Sequence, residues 1–371
     1  MHILYFTRNY NVHDQRYLSA LLRTEHRVTL LSLEGSVHLN SELSLPEGIT
    51  TFPWTGGHHP LNWYSGYALY PAYRKILSEL QPDLIHAGPV QSCAFLSALT
   101  GFHPIVSMSW GYDLLIDAKR SGLHQWITRY TLANSDVLVG DCSTIRGKAI
   151  SYGMQPERIV TFPWGIDLEH FNPNSKINKD KNTFNLLSTR AWEPIYGVDI
   201  IAQAFVRASQ QIPHLRLVML GGGSQKALLY QIFTEAGVLD RVSFPGQANQ
   251  CELPVYYQAA DLYIAAAHSD GTSISLLEAM ACATPVLVSD LPGNQEWITP
   301  GEAGWTFPDG DANALTEGIK NAWEQRSQLP EMGLVARSIT EKRADWKQNF
   351  PKLLEAYNLA LQVTSPSYRS I

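Results

Sequence analysis

Short apolar runs alternate with one-sided helical patterns along nearly the whole chain, and midway the alternation starts again. His2–Phe6 reads as a strand, and Gln15–Arg23 as a helix with Tyr17, Leu18, Leu21 and Leu22 on one face. Strand patterns follow at Val28–Leu33, Asp83–Ala87, Pro104–Ser109, Val137–Gly140 and Ile159–Phe162. Helical patterns lie at Tyr67–Leu80, Gln91–Thr100 and Leu123–Ala133. The second series has strands at Phe184–Ser188, Leu215–Leu220 and Val242–Phe244, with helices at Val198–Gln211, Lys226–Ala236 and Leu253–Ala260. Strands that alternate with helices predict parallel sheets covered on both faces. The expected fold is α/β, with two Rossmann-like doubly wound domains facing across a cleft. The expected boundaries are 1–165 and 166–340, followed by a C-terminal segment, 341–371. The polar stretch Asn172–Asn182 reads as a surface linker.

Composition agrees with two cores. A chain of 371 residues, 45% hydrophobic and 17% charged, is globular and too long for one ordinary core. Its four cysteines, Cys93, Cys142, Cys251 and Cys282, form no C-x-x-C pair, which argues against a zinc or redox motif. Reduced thiols in a cytoplasmic protein are the expectation. The N-terminus enters a strand directly, without the basic and apolar regions of a signal peptide. No window approaches 18 uninterrupted apolar residues. Residues 1–165 hold 12 basic and 12 acidic side chains, so the net charge of −6 lies in the remainder. An acidic chain without a basic stripe excludes nucleic acid as the expected partner.

The richest stretch is Ala265–Asp290. It puts Asp270 in a loop and Glu278 about two turns into the helix that follows. Between them, Gly271, Thr272, Ser273 and Ile274 open the helix with small residues and unpaired backbone N–H groups. Such a terminus can hold a diphosphate without metal, and flanking carboxylates can accept hydrogen bonds from sugar hydroxyls. Ser275-x-x-Glu278 also fits a capping box, and Asp270-Gly271 a turn. Upstream, Leu262–Ala265 reads as a strand; downstream, Pro285 leads into the apolar run Val286–Ser289. The acidic pair therefore sits at a strand's carboxyl end, where open α/β sheets bind ligands.

This pattern resembles the E-x7-E donor-site motif of retaining GT-B glycosyltransferases of family 4, the glycosyl transferases group 1. Asp270 stands at the first acidic position, and Thr272-Ser273 replaces the usual Phe-Gly. Phe162-Pro-Trp-Gly165-Ile-Asp167 resembles the family's interdomain V-P-N-G-I-D. Ser188–Gly197 resembles its R-x5-K-G segment, in which Arg and Lys clamp the donor diphosphate. Arg190 matches, but Tyr196 replaces the Lys, and a neutral hydrogen-bond donor is expected there. Arg190 is alternatively a surface salt-bridge partner of Glu193. The glycines around Gly222 suit a close backbone approach to phosphate. Gln247, after Phe244-Pro-Gly246, is placed by the resemblance along the nucleobase, or else is solvated.

The N-terminal cleft is less regular. The family's Gly-Gly loop is replaced by Thr7–Arg16, which offers Arg8, His13, Asp14 and Arg16 to an acceptor or phosphate. Trp110 stands where many relatives carry His, which leaves Asp113 as the candidate in Ser109–Asp113, or as a helix cap. The aromatic segment Thr51–Tyr73, with His58, His59, Trp63, Tyr64 and Tyr67, suits a sugar platform, a membrane contact or a core. The helix Lys342–Val363 is expected, as in the family, to cross back to the first domain.

The resemblance implies a metal-independent, retaining hexosyltransferase with a UDP- or GDP-linked sugar as co-substrate and no cofactor. Arg190, Asp270 and Asp113 are the expected catalytic residues. Glu278, Tyr196, Gly271, Thr272, Ser273, Ile274, Gly222 and Gln247 are the expected donor-binding residues, and none is expected to bind metal. The acceptor is a glycan, a lipid-linked sugar or a small molecule, with peripheral contact at the inner membrane face as an option. Alternatives are a catalytically silent GT-B subunit that binds a glycan or protein, and a nucleotide-sugar hydrolase or epimerase.

Overall fold

The computed structural model describes residues 1–34, 44–54, 56, 63–173, 179–180 and 182–364, with 63–67 as backbone only. Seven strands form the first sheet: β1 (His2–Thr7), β2 (Arg27–Ser32), β3 (Thr50–Thr51), β4 (Leu84–Gly88), β5 (Ile105–Met108), β6 (Val137–Gly140) and β7 (Ile159–Thr161). Six form the second: β8 (Phe184–Ser188), β9 (Leu215–Leu220), β10 (Val242–Gly246), β11 (Leu262–Ala265), β12 (Val286–Ser289) and β13 (Gly304–Phe307). The strand orders are β3-β2-β1-β4-β5-β6-β7 and β10-β9-β8-β11-β12-β13. Every pairing is parallel. In each sheet the chain reverses its direction of winding once, between β1 and β4 and between β8 and β11. Loops leaving the carboxyl ends of those neighbouring strands diverge and leave a crevice.

Strands β4, β11 and β12 are buried at every position, as sheets covered on both faces require. The exception in kind is His86 of β4, whose Nδ1 lies 2.6 Å from the Tyr357 hydroxyl. Burial lowers its pKa to about 3, so it stays neutral. In the second sheet one face packs on the helix Val198–Ser209 through Ile201, Ala202, Phe205 and Ala208. The other packs on the helix Ile274–Ala281 through Leu276, Leu277 and Met280.

The chain divides into two compact units, Met1–Phe162 with Phe350–Ile371, and Pro163–Asn349. The boundary thus falls before the Pro163-Trp164-Gly165 turn, not after it, and the second unit runs past residue 340. The physical reason lies in that turn. The Ile166 N–H donates to the Ala344 carbonyl at 2.6 Å, and the Trp346 N–H donates to the Ile166 carbonyl at 3.0 Å. Gly165 has φ +75°, and a Cβ there would lie 3.0 Å from Ala344 O and the Trp346 backbone. This bridge interrupts the helix expected from Lys342: one helix ends at Arg343 and another runs Trp346–Thr364. From Phe350 that helix belongs to the first unit, burying Leu353, Ala356, Tyr357 and Ala360.

The first helix also begins earlier than its apolar stripe predicts, at Val12. Asn11 accepts from the His13 and Asp14 N–H groups, and Asp14 accepts from the Asn11 N–H, a reciprocal cap. In the aromatic segment, Phe52 and Trp54 pack with Phe6 and Tyr73 as core. His58 and His59, and the side chains of Trp63, Tyr64 and Tyr67, lie outside the described residues. No helix of the described residues is long and apolar enough to cross a membrane.

Candidate functional site

Three loops converge at the carboxyl ends of β8, β9 and β11 in the second unit. The loop after β8 is pressed onto the loop after β11. Gly197 adopts φ +56°, and a Cβ there would sit 2.1 Å from the Ala266 carbonyl oxygen. Only glycine allows that approach without strain. The His268 N–H donates to the Ile195 carbonyl at 2.9 Å and fastens the two loops together.

Arg190 is the hub. Its Nη1 donates to Ser273 Oγ at 3.0 Å and Ser275 Oγ at 3.3 Å, and its Nη2 lies 3.0 Å from Asp270 Oδ2. The pair is 14% and 21% exposed at its side chains, so it is not a solvated surface bridge. Asp270 Oδ2 is buried and off the axis of any donor, without a hydrogen bond among the described residues. The Arg190 Cζ lies over the Tyr196 ring, 4.1 Å from its centroid. The alternative pairing of Arg190 with Glu193 does not form: Glu193 accepts from the Ser224 N–H at 2.9 Å and from the Ser224 hydroxyl. Nor does the Tyr196 hydroxyl act as a donor to any described residue; its ring makes the contact.

The helix Ile274–Ala281 points its N-terminus at this cation. Ser273, at its N-cap, makes no side-chain capping bond. The Ser275–Glu278 capping box does not form, because the N-cap is Ser273 and Ser275 lies inside the helix; both side chains are engaged elsewhere. Ser275 Oγ accepts from the Tyr263 hydroxyl at 2.8 Å, and Glu278 Oε2 accepts from the Tyr257 hydroxyl at 2.8 Å. Burial, reinforced by the Glu278 carboxylate, raises the Tyr257 phenol well above its ordinary value, so it remains a donor. Thr189 Oγ1 lies 3.2 Å from the same hydroxyl. Thr272, Ser273 and Glu278 are each 5% exposed. Gly271 is buried beneath Gly293, where a Cβ would lie 2.1 Å from Gly271 O.

The third loop is held in place by glycine geometry. The Gly221 N–H donates to the Gly246 carbonyl at 2.7 Å, and the Trp192 N–H to the Gly222 carbonyl at 2.9 Å. Gly222 itself is exposed and unconfined; the crowded position is Gly223, at φ +155°, against Trp192 O. Gln247 is exposed, and its side chain makes no hydrogen bond among the described residues.

The first-unit candidates are already engaged. Asp113 is buried and accepts from the Val90 N–H at 3.0 Å, the Ser109 hydroxyl at 2.6 Å and the Leu114 N–H at 3.0 Å. Burial nevertheless raises its pKa to about 6. Asp14 accepts from Tyr5 and Thr7 hydroxyls as well as from its cap, and burial raises it to about 7. Arg8 pairs with Glu34 at 2.9 Å, and the His13 ring lies 6.0 Å from Trp110. Both carboxylates thus hold the loops that carry them. Among the described residues no group of three or more His, Cys, Asp or Glu is arranged to hold a metal.

Two family models cover the chain: "Glycosyl transferases group 1" over residues 170–358, more than half of it, and "Glycosyl transferase 4-like" over residues 2–141. The chain belongs to the group 1 glycosyltransferases. A D-inositol 3-phosphate glycosyltransferase of Gordonia bronchialis is 26% identical over 244 residues, 62% of this chain and 53% of that protein. The chain therefore matches about half the length of that relative. Sucrose-phosphate synthase from Thermosynechococcus elongatus superposes with a TM-score of 0.80 at 19% identity, over 98% of this chain and 100% of its own. Anabaena HepE, solved with UDP-glucose, gives 0.79 at 18% identity over 96% and 99%. These likenesses bear out the GT-B fold expected from the sequence. Within it, the residues missed by sequence reasoning are Tyr257, Tyr263 and Ser275. Their one signal was a tyrosine inside a buried strand and another in the helix before it, where each hydroxyl needs a partner.

Proposed function

We propose that this protein is a retaining, metal-independent glycosyltransferase that moves a hexose from a nucleoside diphosphate sugar to a hydroxyl acceptor. One observation carries the reading: a buried guanidinium, the N-terminus of the helix Ile274–Ala281, and two carboxylates, Asp270 and Glu278, meet at the carboxyl ends of β8 and β11. A leaving diphosphate gathers negative charge as the anomeric C–O bond breaks. A fork of N–H donors and the positive end of a helix dipole can both stabilise that charge without metal. Glu278, aimed by Tyr257, would hold ribose hydroxyls. Asp270, whose side chain keeps 21% exposure, would take hydroxyls of the donor sugar. Amides of Gly271, Thr272, Ser273 and Ile274 would receive phosphate or sugar oxygens, with Gly222 and Gln247 beside the nucleotide.

The acceptor oxygen would attack the face the diphosphate leaves, and its proton would pass to the departing phosphate oxygen. Asp113 would act by holding the loop Ser109–Asp113, not as the proton acceptor, since its oxygens are occupied. The UDP-glucose of the HepE complex supports a uridine donor class, with GDP-linked sugars as the second class to test. A glycan, lipid-linked or small-molecule acceptor goes with this reading, as does a cytoplasmic site with peripheral membrane contact.

Thermal shifts with UDP-, GDP- and ADP-sugars, followed by assay of nucleoside diphosphate release against acceptors, test the proposal. One nucleotide class should stabilise the protein and support turnover. Neither a shift nor release with any donor would leave a binding subunit instead.

A further inference from the structure

Tyr196 occupies a place where a second cation would serve a leaving diphosphate, and it does something a cation cannot. Its ring faces the Arg190 guanidinium at 4.1 Å from Cζ, within the range of a cation–π contact. The side chain also packs on the apolar cluster that contains Val198, Ile201 and Ala266. The ring is mounted on a stiff turn. The Tyr196 N–H donates to the Glu193 carbonyl at 2.9 Å, the Gly197 N–H donates to Pro194 at 3.1 Å, and Gly197 is jammed against Ala266. The same turn is tied through Ile195 and His268 to the strand-end loop that carries Asp270.

The guanidinium is thus fixed on two sides by independent means. Along its edge, Nη1 and Nη2 meet Ser273, Ser275 and Asp270. Against Cζ lies the Tyr196 ring, 4.1 Å from its centroid. Pinned at its two Nη atoms, the guanidinium can still tilt about the line that joins them. The Tyr196 ring packed against Cζ opposes that tilt. A lysine in this position would remove the ring and set a like charge beside Arg190.

We infer that Tyr196 is a positioning residue for transfer: its ring face, not its hydroxyl, holds Arg190 in the plane that presents both Nη atoms to the loop 270–275. The inference rests on the reading of Arg190 as the cation of the donor site. It predicts, against simple charge counting, that restoring lysine slows the enzyme. Because the ring orients a group that acts chiefly in the transition state, the loss belongs in kcat more than in KM.

The test compares wild type with Tyr196→Phe, Tyr196→Leu and Tyr196→Lys, each with 15N-labelled arginine and a melting curve. Turnover should fall about tenfold in Tyr196→Leu and Tyr196→Lys, as expected for loss of a partly desolvated cation–π contact. KM for the donor should move less than twofold, and Tyr196→Phe should recover most of the rate. The ring-current shift of the Arg190 side-chain NH should persist in Tyr196→Phe and vanish in the other two. A Tyr196→Lys enzyme as fast as wild type, or a Tyr196→Phe enzyme as slow as Tyr196→Leu, overturns the inference, and so does an Arg190 signal unmoved by Tyr196→Leu. Arg190→Ala, run alongside, separates the two levels. If it turns over normally, the donor-site reading fails, while the NMR shifts still report whether the ring orients the guanidinium.

Discussion

Arg190 gathers more of the site than any other side chain, touching Asp270, Ser273, Ser275 and Tyr196 from one guanidinium. A group that stabilises charge on a departing diphosphate acts mostly in the transition state. Arg190→Ala should therefore lower kcat/KM by about a hundredfold or more, as loss of an oxyanion donor does. Arg190→Lys should recover only part, because a point charge cannot serve two serines and a carboxylate from one plane. Steady-state kinetics with the identified donor decide it, and a normal rate in Arg190→Ala removes the role. Glu278 offers the contrasting case of ground-state binding. Glu278→Ala should weaken nucleotide affinity by about 1–3 kcal/mol, the range for a lost charged hydrogen bond. Tyr257→Phe, which removes only the hydroxyl that aims Glu278, should cost about 1 kcal/mol of the same affinity. Isothermal titration with the nucleoside diphosphate reads both. Unchanged affinity in Glu278→Ala with a collapse in stability would make the carboxylate a structural member of its helix.

At the scale of elements, helix entries hold the functional loops, and they do so with buried carboxylates. The helix Val12–Leu21 starts at the Asn11–Asp14 cap, and Asp14 is buried to 0% exposure beneath Tyr5 and Thr7. Its pKa rises from 3.8 to about 7 on folding. The native state thus keeps a proton that the unfolded chain gives up, and stability falls as pH climbs from about 4 to about 7. Below that window the contribution is fully present; above it, it is lost. Asp113, raised to about 6, adds a term of the same sign over a narrower range. Chemical denaturation at pH 4.5, 6 and 7.5 should show this decline, and Asp14→Asn should flatten it while weakening the cap by about 1 kcal/mol. A variant whose stability follows the wild-type slope would show that Asp14 does not titrate in this range. The second-unit helix Ile274–Ala281 is the opposite design, with its side-chain caps diverted to Tyr257, Tyr263 and Arg190. Its N-cap residue, Ser273, therefore makes no side-chain cap.

At the scale of the molecule, the chain builds one unit, then another, and returns to finish the first. A protein ending at Asn349 would strip Leu353, Ala356, Tyr357 and Ala360 from the first unit, together with the Tyr357 partner of His86. Calorimetry of that truncation should lose the first unit's transition and keep the second's. A nucleoside diphosphate at about 100 times its Kd should still raise the remaining transition, by about 2.7 kcal/mol. Loss of both transitions together would show that the units do not fold independently. Much of this architecture was legible in order along the chain. Strand and helix periods are local properties of backbone geometry, so the alternation from His2 onward predicted two parallel sheets and placed Asp270 and Glu278 at a strand's carboxyl end. Arg190 could be named from its segment as well. What the sequence could not determine were pairings across distance. Arg190 faced two carboxylates of equal charge, Glu193 three residues away and Asp270 eighty residues away. Pairing of β8 beside β11 selects the second, while Ser224 engages the first. Likewise Tyr196 becomes a wall and Tyr257 a guide for Glu278 only through packing. Residue type fixes what a side chain can offer, but its partner is set over 3–4 Å by elements that meet only when the sheet is assembled.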